Sequence, residues 1–378
     1  MDTWYIHTEH MDVGYDGVPL IRDIEIGVRR GEILTLIGPN GSGKSTILKS
    51  MIRQLKLLAG VVVLEGQTMA AMKEGEIAKK MAIVMTERLR AELMTGKDVV
   101  ATGRYPYTGR LGILTAEDKR KVQEAIALVH GEEFAERPFG QISDGQRQRL
   151  LLARAVCQEP EVIVLDEPTS FLDVKHKLEL LEILKQLVRE RNVAVLMSLH
   201  ELDLAQKISD RVVCVAKNVV DRCGTPEEIF TNEYIESLYG MGAGSYNALF
   251  GSLEMGRVNG RPRVFVLGGG GSGIPVYRAL QRRGVPFAAG ILAENDVDWA
   301  VARALAVQTV SVPAFARIDE EAMAHARALL STCAYAVCCL DTFGPLNEGN
   351  RLLRDEAAAQ GKLVPLDRLS DLWTGGDA

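Results

Sequence analysis

A glycine-rich turn set between an apolar run and a helix-period segment constrains the fold of this chain more than any other feature. The stretch is ILTLIGPNGSGKSTILKSMI, residues 33–52. Gly38, Gly41 and Gly43 tolerate backbone conformations that other residues avoid, so the loop can wrap closely around a ligand with its N–H groups pointing inward. The order strand, loop, helix predicts a phosphate site at the start of the helix.

The same stretch matches the pattern GxxxxGK[ST] in full. Lys44 can reach β and γ phosphates, and the Ser45 hydroxyl can coordinate Mg²⁺. A chance glycine turn would not reproduce the whole pattern between a strand and a helix. The sequence therefore predicts a site for a nucleoside triphosphate and Mg²⁺. The residues expected to form it are Gly38, Asn40, Gly41, Gly43, Lys44, Ser45 and Thr46.

Two adjacent carboxylates end a second apolar run, VIVLDEPTSFLD at residues 162–173. Like charges at the mouth of a buried strand repel each other and lose hydration, so a cation or a reaction should offset the cost. We expect Asp166 to hold Mg²⁺ through water. We expect Glu167 to orient and deprotonate a water that attacks the γ-phosphate. An exposed acidic pair that starts a turn is the plainer alternative.

The composition indicates a globular protein without a nucleic-acid footprint. The 378 residues are 47% hydrophobic and 25% charged, with a net charge of -6, whereas nucleic-acid binding favours clustered basic residues. No apolar run approaches the roughly 18 residues of a membrane span, and the first residues lack the plan of a signal peptide. We therefore expect a cytoplasmic protein.

Strand-like apolar runs alternate with helix-period segments along the whole chain, which predicts α/β architecture with largely parallel sheets. Residues 241–263 are rich in Gly, Ser and Asn with little periodicity, which is typical of a boundary. We expect an N-terminal domain over residues 1–240, a linker over 241–260 and a smaller C-terminal α/β domain over 261–378.

Further motifs accompany the two phosphate motifs: ISDGQRQRLLLARA (142–155), SFLD (170–173) and LMSLHE (196–201). Together they resemble the nucleotide-binding subunit of an ABC transporter, over roughly residues 5–240. The resemblance implies a P-loop ATPase fold with a helical subdomain around residues 90–160. It also implies a homodimer that binds ATP and Mg²⁺ and works with integral membrane permease subunits.

The resemblance assigns roles to individual residues of this chain. Ser143, Gly145 and Gln146 would contact the γ-phosphate of ATP held by the other copy, and Asp173 would help align the two copies. His200 would contact the γ-phosphate and hold the attacking water. Tyr15 would stack on adenine, although an ordinary strand aromatic is the plainer interpretation of that residue.

Two positions depart from the family pattern. Asp144 stands where the commonest signature has glycine, and we take it as a tolerated variant. The second departure follows a strand. Where a glutamine should follow the strand MAIVM (81–85), this sequence has Thr86 and then Glu87. In the family that glutamine coordinates Mg²⁺ and links the site to the membrane subunit. A threonine hydroxyl could still reach the ion through a water, so we place Thr86 among the expected Mg²⁺ residues.

Two segments narrow the resemblance to importers. VVATGRYPYTGRLG (99–112) and GTPEEIFTNEYIESLYGM (224–241) resemble the ATPases that drive import of ferric siderophores, haem and vitamin B12. An extracytoplasmic substrate-binding protein would then act indirectly, and the ATPase would lie peripherally on the inner face of the cell membrane. A non-transport ABC ATPase and an exporter subunit are the alternatives.

A second glycine loop follows the strand RVFVL (263–267). Gly268, Gly270 and Gly273 fit GxGxxG, and Glu294 follows the next strand where it could meet a ribose hydroxyl, so a Rossmann-like unit is expected. Asp341, Asn347 and Asn350 should lie at the same sheet edge. The plainer alternative is a tight turn with close helix–sheet packing. A regulatory ligand site or a dimer-steadying role is the preferred hypothesis, and a nicotinamide-dependent oxidoreductase is the runner-up.

Overall fold

The computed structural model describes residues 4–85, 91, 93–109 and 112–373. Its backbone contacts divide the chain into two compact units, Met1–Phe230 (unit 1) and Thr231–Ala378 (unit 2). Residues 241–260, where we expect a linker, include a short hairpin that belongs to unit 2. The structure thus divides the chain at Phe230, whereas the sequence placed the end of the first domain at residue 240; the predicted domain limits stay a prediction.

Unit 1 contains two sheets and the helices around them. Its strands are β1 (Ile6–Tyr15), β2 (Val18–Ile24), β3 (Gly27–Val28), β4 (Ile33–Ile37), β5 (Ala59–Leu64), β6 (Gln67–Thr68), β7 (Met81–Val84), β8 (Val162–Asp166), β9 (Ala194–Ser198), β10 (Arg211–Ala216) and β11 (Val219–Gly224). Its helices are α1 (Lys44–Met51), α2 (Glu74–Lys80), α3 (Gly96–Ala101), α4 (Ala116–Leu128), α5 (Glu132–Ala135), α6 (Asp144–Cys157), α7 (Val174–Arg191), α8 (Leu202–Ile208) and α9 (Pro226–Ile229). Short 3₁₀ turns cover Met69–Ala71, Thr102–Tyr107 and Phe139–Gln141.

The main sheet runs in the order β11-β10-β4-β9-β8-β7, and all its pairings are parallel except that of β10 with β11. Because parallel strands end at one edge, the segments that follow β4, β8 and β9 meet there. Asp166 and Ser198 stand directly opposite each other at this edge. The expected α/β fold is confirmed, and its sheet gathers the predicted motifs.

A second, antiparallel sheet covers one side of α1. Its order is β2-β1-β5-β6, with β3 also paired to β1. Ile47, Leu48 and Met51 of α1 are fully buried in one cluster with residues of both sheets. Burying a large apolar side chain stabilises the fold by about 1.5–3 kcal/mol. These contacts therefore fix the position of α1 and of the glycine loop that precedes it.

The expected helical subdomain is also confirmed: α3 and α4 both pack on α6. A buried ion pair helps to hold this packing, since Arg104 Nε donates to Asp118 Oδ1 at 2.9 Å. The Arg104 guanidinium also donates to the Cys157 carbonyl at 2.7 Å and lies over the Tyr107 ring. The segment GRYPY is thus anchored to α4 and to the end of α6.

Unit 2 is a smaller α/β unit. Its elements are α10 (Asn232–Tyr239), β12 (Ser245–Asn247), β13 (Ser252–Glu254), β14 (Val264–Leu267), α11 (Ile274–Arg282), β15 (Phe287–Ala293), α12 (Val297–Leu305), β16 (Gln308–Val312), α13 (Glu320–Thr332), β17 (Tyr335–Cys338) and α14 (Glu348–Ala359), followed by a 3₁₀ segment at Leu366–Trp373. Strands β12 and β13 form the hairpin.

The sheet of unit 2 is parallel, with the order β16-β15-β14-β17. Alternate residues of β14 face opposite sides. Val264 and Val266 pack with α11 and α12, whereas Phe265 and Leu267 pack with α13 and α14. Helices on both faces and a strand order that reverses beside β14 match the expected Rossmann-like unit.

Across the described residues of both units, none of the helices is long and apolar enough to cross a membrane.

We predict that Asp118→Asn lowers the free energy of unfolding by about 2 kcal/mol, the amount that corresponds to the lowered pKa of the Asp118 carboxylate in the folded protein. Hydrogen bonds from Thr115, and then Arg104, lower the pKa of Asp118 from 3.8 to about 2. The stabilisation is therefore present above about pH 4 and is lost as the pH falls towards 2. Urea unfolding of both proteins at pH 6 and pH 3 should show the difference shrinking at the lower pH.

The exposed neighbour Glu117 on the same helix supplies the control. Glu117→Gln should change the unfolding midpoint little at either pH, since surface ion pairs contribute about 0–1 kcal/mol. An Asp118→Asn variant as stable as the parent at pH 6 would contradict the structural role of the pair.

Candidate nucleotide site

A cleft of about 490 Å³ opens at the carboxyl edge of the main sheet in unit 1. Its lining residues are Tyr15, Leu20, Asn40, Gly41, Gly43, Lys44, Ser45, Thr46, Glu167 and His200. Gly38 lies behind the loop with φ of 146°, and a Cβ there would come within 1.9 Å of the Val215 carbonyl oxygen on β10. Only glycine lets the loop pass so close to the neighbouring strand.

Lys44 opens α1 and its side chain turns back along the loop. Its Nζ donates to the carbonyl oxygens of Gly38 at 2.7 Å and Pro39 at 3.1 Å. Burial lowers the pKa of Lys44, and the nearby carboxylates of Glu167 and Asp166 oppose that effect. The loop therefore presents a held cation together with backbone N–H groups, which suits an anionic ligand.

Asp166, at the end of β8, connects three elements. Its Oδ1 accepts hydrogen bonds from Ser45 Oγ of α1 at 3.0 Å and from Ser198 Oγ of β9 at 2.7 Å. Oxygen donors of this kind are what Mg²⁺ prefers, and two of the three predicted ligands, Ser45 and Asp166, are hydrogen-bonded to each other beside the cleft. The donor set fits the ion.

Glu167 projects into the cleft from a left-handed backbone conformation, φ 49°. Its Oε1 contacts His200 Nε2, and its Oε2 accepts a hydrogen bond from Ser170 Oγ at 3.1 Å. Its backbone N–H donates to Ser198 Oγ at 3.0 Å. A carboxylate fixed at both ends, with an imidazole against one oxygen, can accept a proton from a positioned water.

Ser198 and Ser170 were not among the residues expected from the sequence. The Ser198 hydroxyl donates to Asp166 and accepts from the Glu167 amide, so a single side chain positions both carboxylates. A polar residue that ends an otherwise apolar strand beside another motif is the signal that could have identified it.

Tyr15 lies at the entrance to the cleft, about half exposed, with its hydroxyl 3.1 Å from Thr46 Oγ1. Its exposed ring is available for stacking, as expected for a base-binding aromatic. The adenine contact itself stays a prediction.

The residues expected to act in trans lie at the starts of α6 and α7. Ser143 caps α6 by accepting from the Gln146 N–H at 3.2 Å, and Gln146 Oε1 accepts from the Ser143 N–H at 3.0 Å. Asp173 caps α7 through the His176 N–H at 2.9 Å. Of the described residues that line the cleft, none is Ser143, Gly145, Gln146 or Asp173.

Two further predicted sites have different outcomes. Thr86, expected near Mg²⁺, lies outside the described residues. Gly268, Gly270 and Gly273 form a loop in unit 2 at the end of β14, whereas Glu294 is exposed and is not among the residues lining the adjacent cavity. Asp296 and Asp298 reach this loop, and we did not predict these contacts from the sequence. An Asp that precedes a helix-period segment, as Asp296 does, is the signal of a helix cap that could have indicated them.

Comparisons with known proteins are consistent with this geometry. Residues 21–170 match the family described as ABC transporter, and residues 287–378 match the MJ0874 family. An uncharacterized ABC transporter ATP-binding protein, MJ0873 of Methanocaldococcus jannaschii, is 41% identical over 76% of this chain and 100% of its own length. Because 76% of the chain is more than the residues of unit 1, which ends at Phe230, this alignment extends into unit 2.

Two relatives have more specific names. An iron(3+)-hydroxamate import ATP-binding protein of Bacillus subtilis is 38% identical over 62% of this chain and 87% of its own. A cobalamin import ATP-binding protein of Halobacterium salinarum is 33% identical over 84% of this chain and 81% of its own.

A solved structure of a metal-chelate type ABC transporter, in an inward-facing conformation, aligns with a TM-score of 0.54 at 23% identity. It covers 62% of this chain and 89% of the other. At this identity the likeness shows the fold of unit 1.

We predict that Ser198→Ala lowers the kcat for nucleotide hydrolysis about 10- to 100-fold, as outer positioning contacts do, while the KM changes little. Its hydroxyl donates to the Asp166 carboxylate and accepts from the Glu167 backbone N–H, but Ser198 does not line the cleft. Its loss should therefore misplace Asp166 and Glu167 without removing a ligand contact. Ser198→Thr, which keeps a hydroxyl, should recover part of the rate.

Ser209→Ala provides the matched control, because its hydroxyl bonds to Thr35 and the Ala205 carbonyl away from the cleft. A Ser198→Ala enzyme with the kcat of the Ser209→Ala enzyme would contradict the positioning role.

Proposed function

Because this chain belongs to the family of ABC transporter ATP-binding proteins, which are ATPases, we propose that the ATP it hydrolyses drives the import of a metal chelate. One observation carries the catalytic part of the proposal. The chain of contacts Ser45–Asp166–Ser198–Glu167–His200 joins the ends of β8 and β9 to α1 at a single cleft. Phosphate binding, metal binding and water activation can all be done from that cleft.

ATP would lie with its phosphates along the Gly38–Lys44 loop and its base against Tyr15. Ser45 and Asp166 would hold Mg²⁺, which supplies charge neutralisation at the β and γ phosphates when bound. Lys44 adds positive charge at the same place. These groups stabilise charge that develops during phosphoryl transfer, which is where most of the rate enhancement arises.

Glu167 would accept a proton from the attacking water, and His200 would hold that water against the γ-phosphate. The contact between Glu167 Oε1 and His200 Nε2 supports this pairing of roles. Ser170 and Ser198 fix the carboxylate and the backbone of Glu167, so the base is positioned before the substrate arrives.

Two copies of the chain would form the working ATPase. Ser143, Gly145 and Gln146 lie at the start of α6, where backbone N–H groups and the helix end favour an anion. Since they do not line the cleft of their own chain, the γ-phosphate they meet would be bound by the other copy, with Asp173 near the join. Closure of the two copies around ATP would drive membrane permease subunits. The ATPase would lie peripherally on the inner face of the membrane, and a substrate-binding protein would act outside.

The lengths of the alignments favour one class of cargo. The hydroxamate relative aligns over 62% of this chain, which is about the extent of unit 1. Unit 1 ends at Phe230 of 378 residues, so the alignment with the cobalamin import protein, at 84% of the chain, extends into unit 2. A cobalamin-class chelate is therefore the cargo we propose, ahead of a ferric siderophore or haem.

Uptake by cells of the source organism tests the proposal. Deleting the gene should reduce uptake of radiolabelled cyanocobalamin at least ~10-fold and leave ferric hydroxamate uptake unchanged. The wild-type gene should restore uptake, and a Glu167→Gln gene should not, because the variant lacks the base that activates water. Glu117→Gln, on the exposed face of α4, is the matched control and should restore uptake fully.

Each other outcome overturns a stated part. Loss of hydroxamate uptake alone would contradict the cobalamin cargo. Unchanged uptake of both chelates would contradict the transport role and favour a non-transport ABC ATPase. Restoration by Glu167→Gln would contradict the assignment of the base.

A further inference from the structure

The second glycine loop differs from the first in what its N–H groups bind. The Gly270 N–H donates to both carboxylate oxygens of Asp296, at 2.8 and 3.0 Å. The N–H groups of Gly273 and Ile274, at the start of α11, donate to Asp298 at 3.0 and 3.2 Å. These are the donors that a phosphate would use in a dinucleotide site. Here the first turn of α12 already supplies the anions.

The glycines of this loop are explained by packing. A Cβ on Gly268 would lie 2.5 Å from Tyr277 Oη and 2.9 Å from Asp298 Oδ2, and a Cβ on Gly273 would lie 2.5 Å from the Tyr277 ring. Tyr277 is fully buried and stacks on Phe287 at a centroid distance of 5.3 Å. Gly268 and Gly273 therefore make room for an aromatic core residue, and the GxGxxG pattern needs no nucleotide to account for it.

A cavity of about 630 Å³ nevertheless lies beside the loop, at the carboxyl edge of the unit 2 sheet. Its walls are mainly apolar, from Ile291, Val312, Phe315, Ile318, Leu340 and Leu346. Asn295, Thr342 and Asn347 add neutral polar groups. The volume is in the range of small-molecule sites, and the place is where ligands of such sheets bind.

The charge that lines this cavity is negative. Of the described residues that line it, none is Lys, Arg or His, and Asp296 is the one with a charged side chain. Asn350, which also lines it, is committed to the backbone of Ile291, accepting from its N–H at 2.8 Å and donating to its carbonyl at 2.9 Å. Among these described lining residues, an entering phosphate would meet the Asp296 carboxylate and no compensating cation.

We propose that unit 2 binds an uncharged or cationic, largely apolar small molecule in the cavity beside the Gly268–Gly273 loop, and that this site excludes nucleotides. The observation that carries it is the pairing of a ligand-sized apolar cavity with a loop whose phosphate donors are taken by Asp296 and Asp298. The first glycine loop, with Lys44 and its cleft, remains the nucleotide site. The inference is independent of the cargo proposed above.

Two fluorescent probes that differ in one anionic group test the proposal on the full chain. N-phenyl-1-naphthylamine is uncharged, and 8-anilino-1-naphthalenesulfonate adds a sulfonate to the same aromatic body. Ala316→Trp fills the cavity, so binding that this variant abolishes is binding in the cavity. For that binding, we expect the neutral probe to have at least ~10-fold higher affinity than the sulfonate. Ala358→Trp, exposed on α14, is the control and should bind as the parent does.

Removing the negative charge of Asp296 should reduce the difference in affinity between the two probes. Asp296→Asn keeps an oxygen that can accept from Gly270, so the loop should persist while the sulfonate binds more tightly, whereas exposed Glu294→Gln should change neither affinity.

Three outcomes would overturn the proposal. The first is neutral-probe binding that Ala316→Trp leaves unchanged, and the second is no binding of the neutral probe at all. The third is displacement of the neutral probe by NADH or ATP at micromolar concentration in a Lys44→Met background, where the first site is disabled.

Discussion

The hydrogen bonds that converge on Asp166 organise unit 1. Ser45 belongs to α1, Asp166 to the end of β8 and Ser198 to the end of β9, so two short contacts lock a helix to two strands. Parallel pairing of β8 and β9 puts Asp166 opposite Ser198, and burial of α1 between two sheets sets the position of Ser45. Shifting any one of these elements would separate Ser45 from Asp166, the proposed metal ligands, and release the backbone of Glu167. The position of the Asp166 carboxylate therefore depends on the packing of α1, β8 and β9 together.

The two glycine loops show how similar sequence patterns can give opposite electrostatics. Both follow a buried strand and open a helix. In the first, a lysine lies in the loop and the carboxylates stand across the cleft, where a metal ion can relieve their repulsion. In the second, the carboxylates bond directly to the loop, and the adjacent cavity is lined mainly by apolar groups. Backbone freedom makes both loops possible, but the side chains that reach them decide what they bind.

Much of this was accessible from the sequence because the motifs depend on local geometry. A full GxxxxGKS between strand and helix specifies a loop, and Asp166 and Glu167 were recognisable because adjacent buried carboxylates need compensation. Ser198 and Asp298 were not, since their roles depend on which strands pair and on where α12 begins. The plainer interpretation of GxGxxG, close packing, depends on Tyr277, whose ring position is a tertiary fact. Glu294 was expected to meet a ligand, but Asp296, two residues later, is the acid that reaches the loop.

We infer that each chain binds one nucleotide, in unit 1. The stoichiometry of bound nucleotide measures it most directly, by equilibrium dialysis of the full chain with Mg²⁺ and saturating ATP or NADH. We expect one ATP per chain, no bound NADH, and loss of ATP binding when Lys44 is replaced by methionine. A second ATP or any bound NADH per chain, or ATP that the Lys44→Met chain retains, would contradict it.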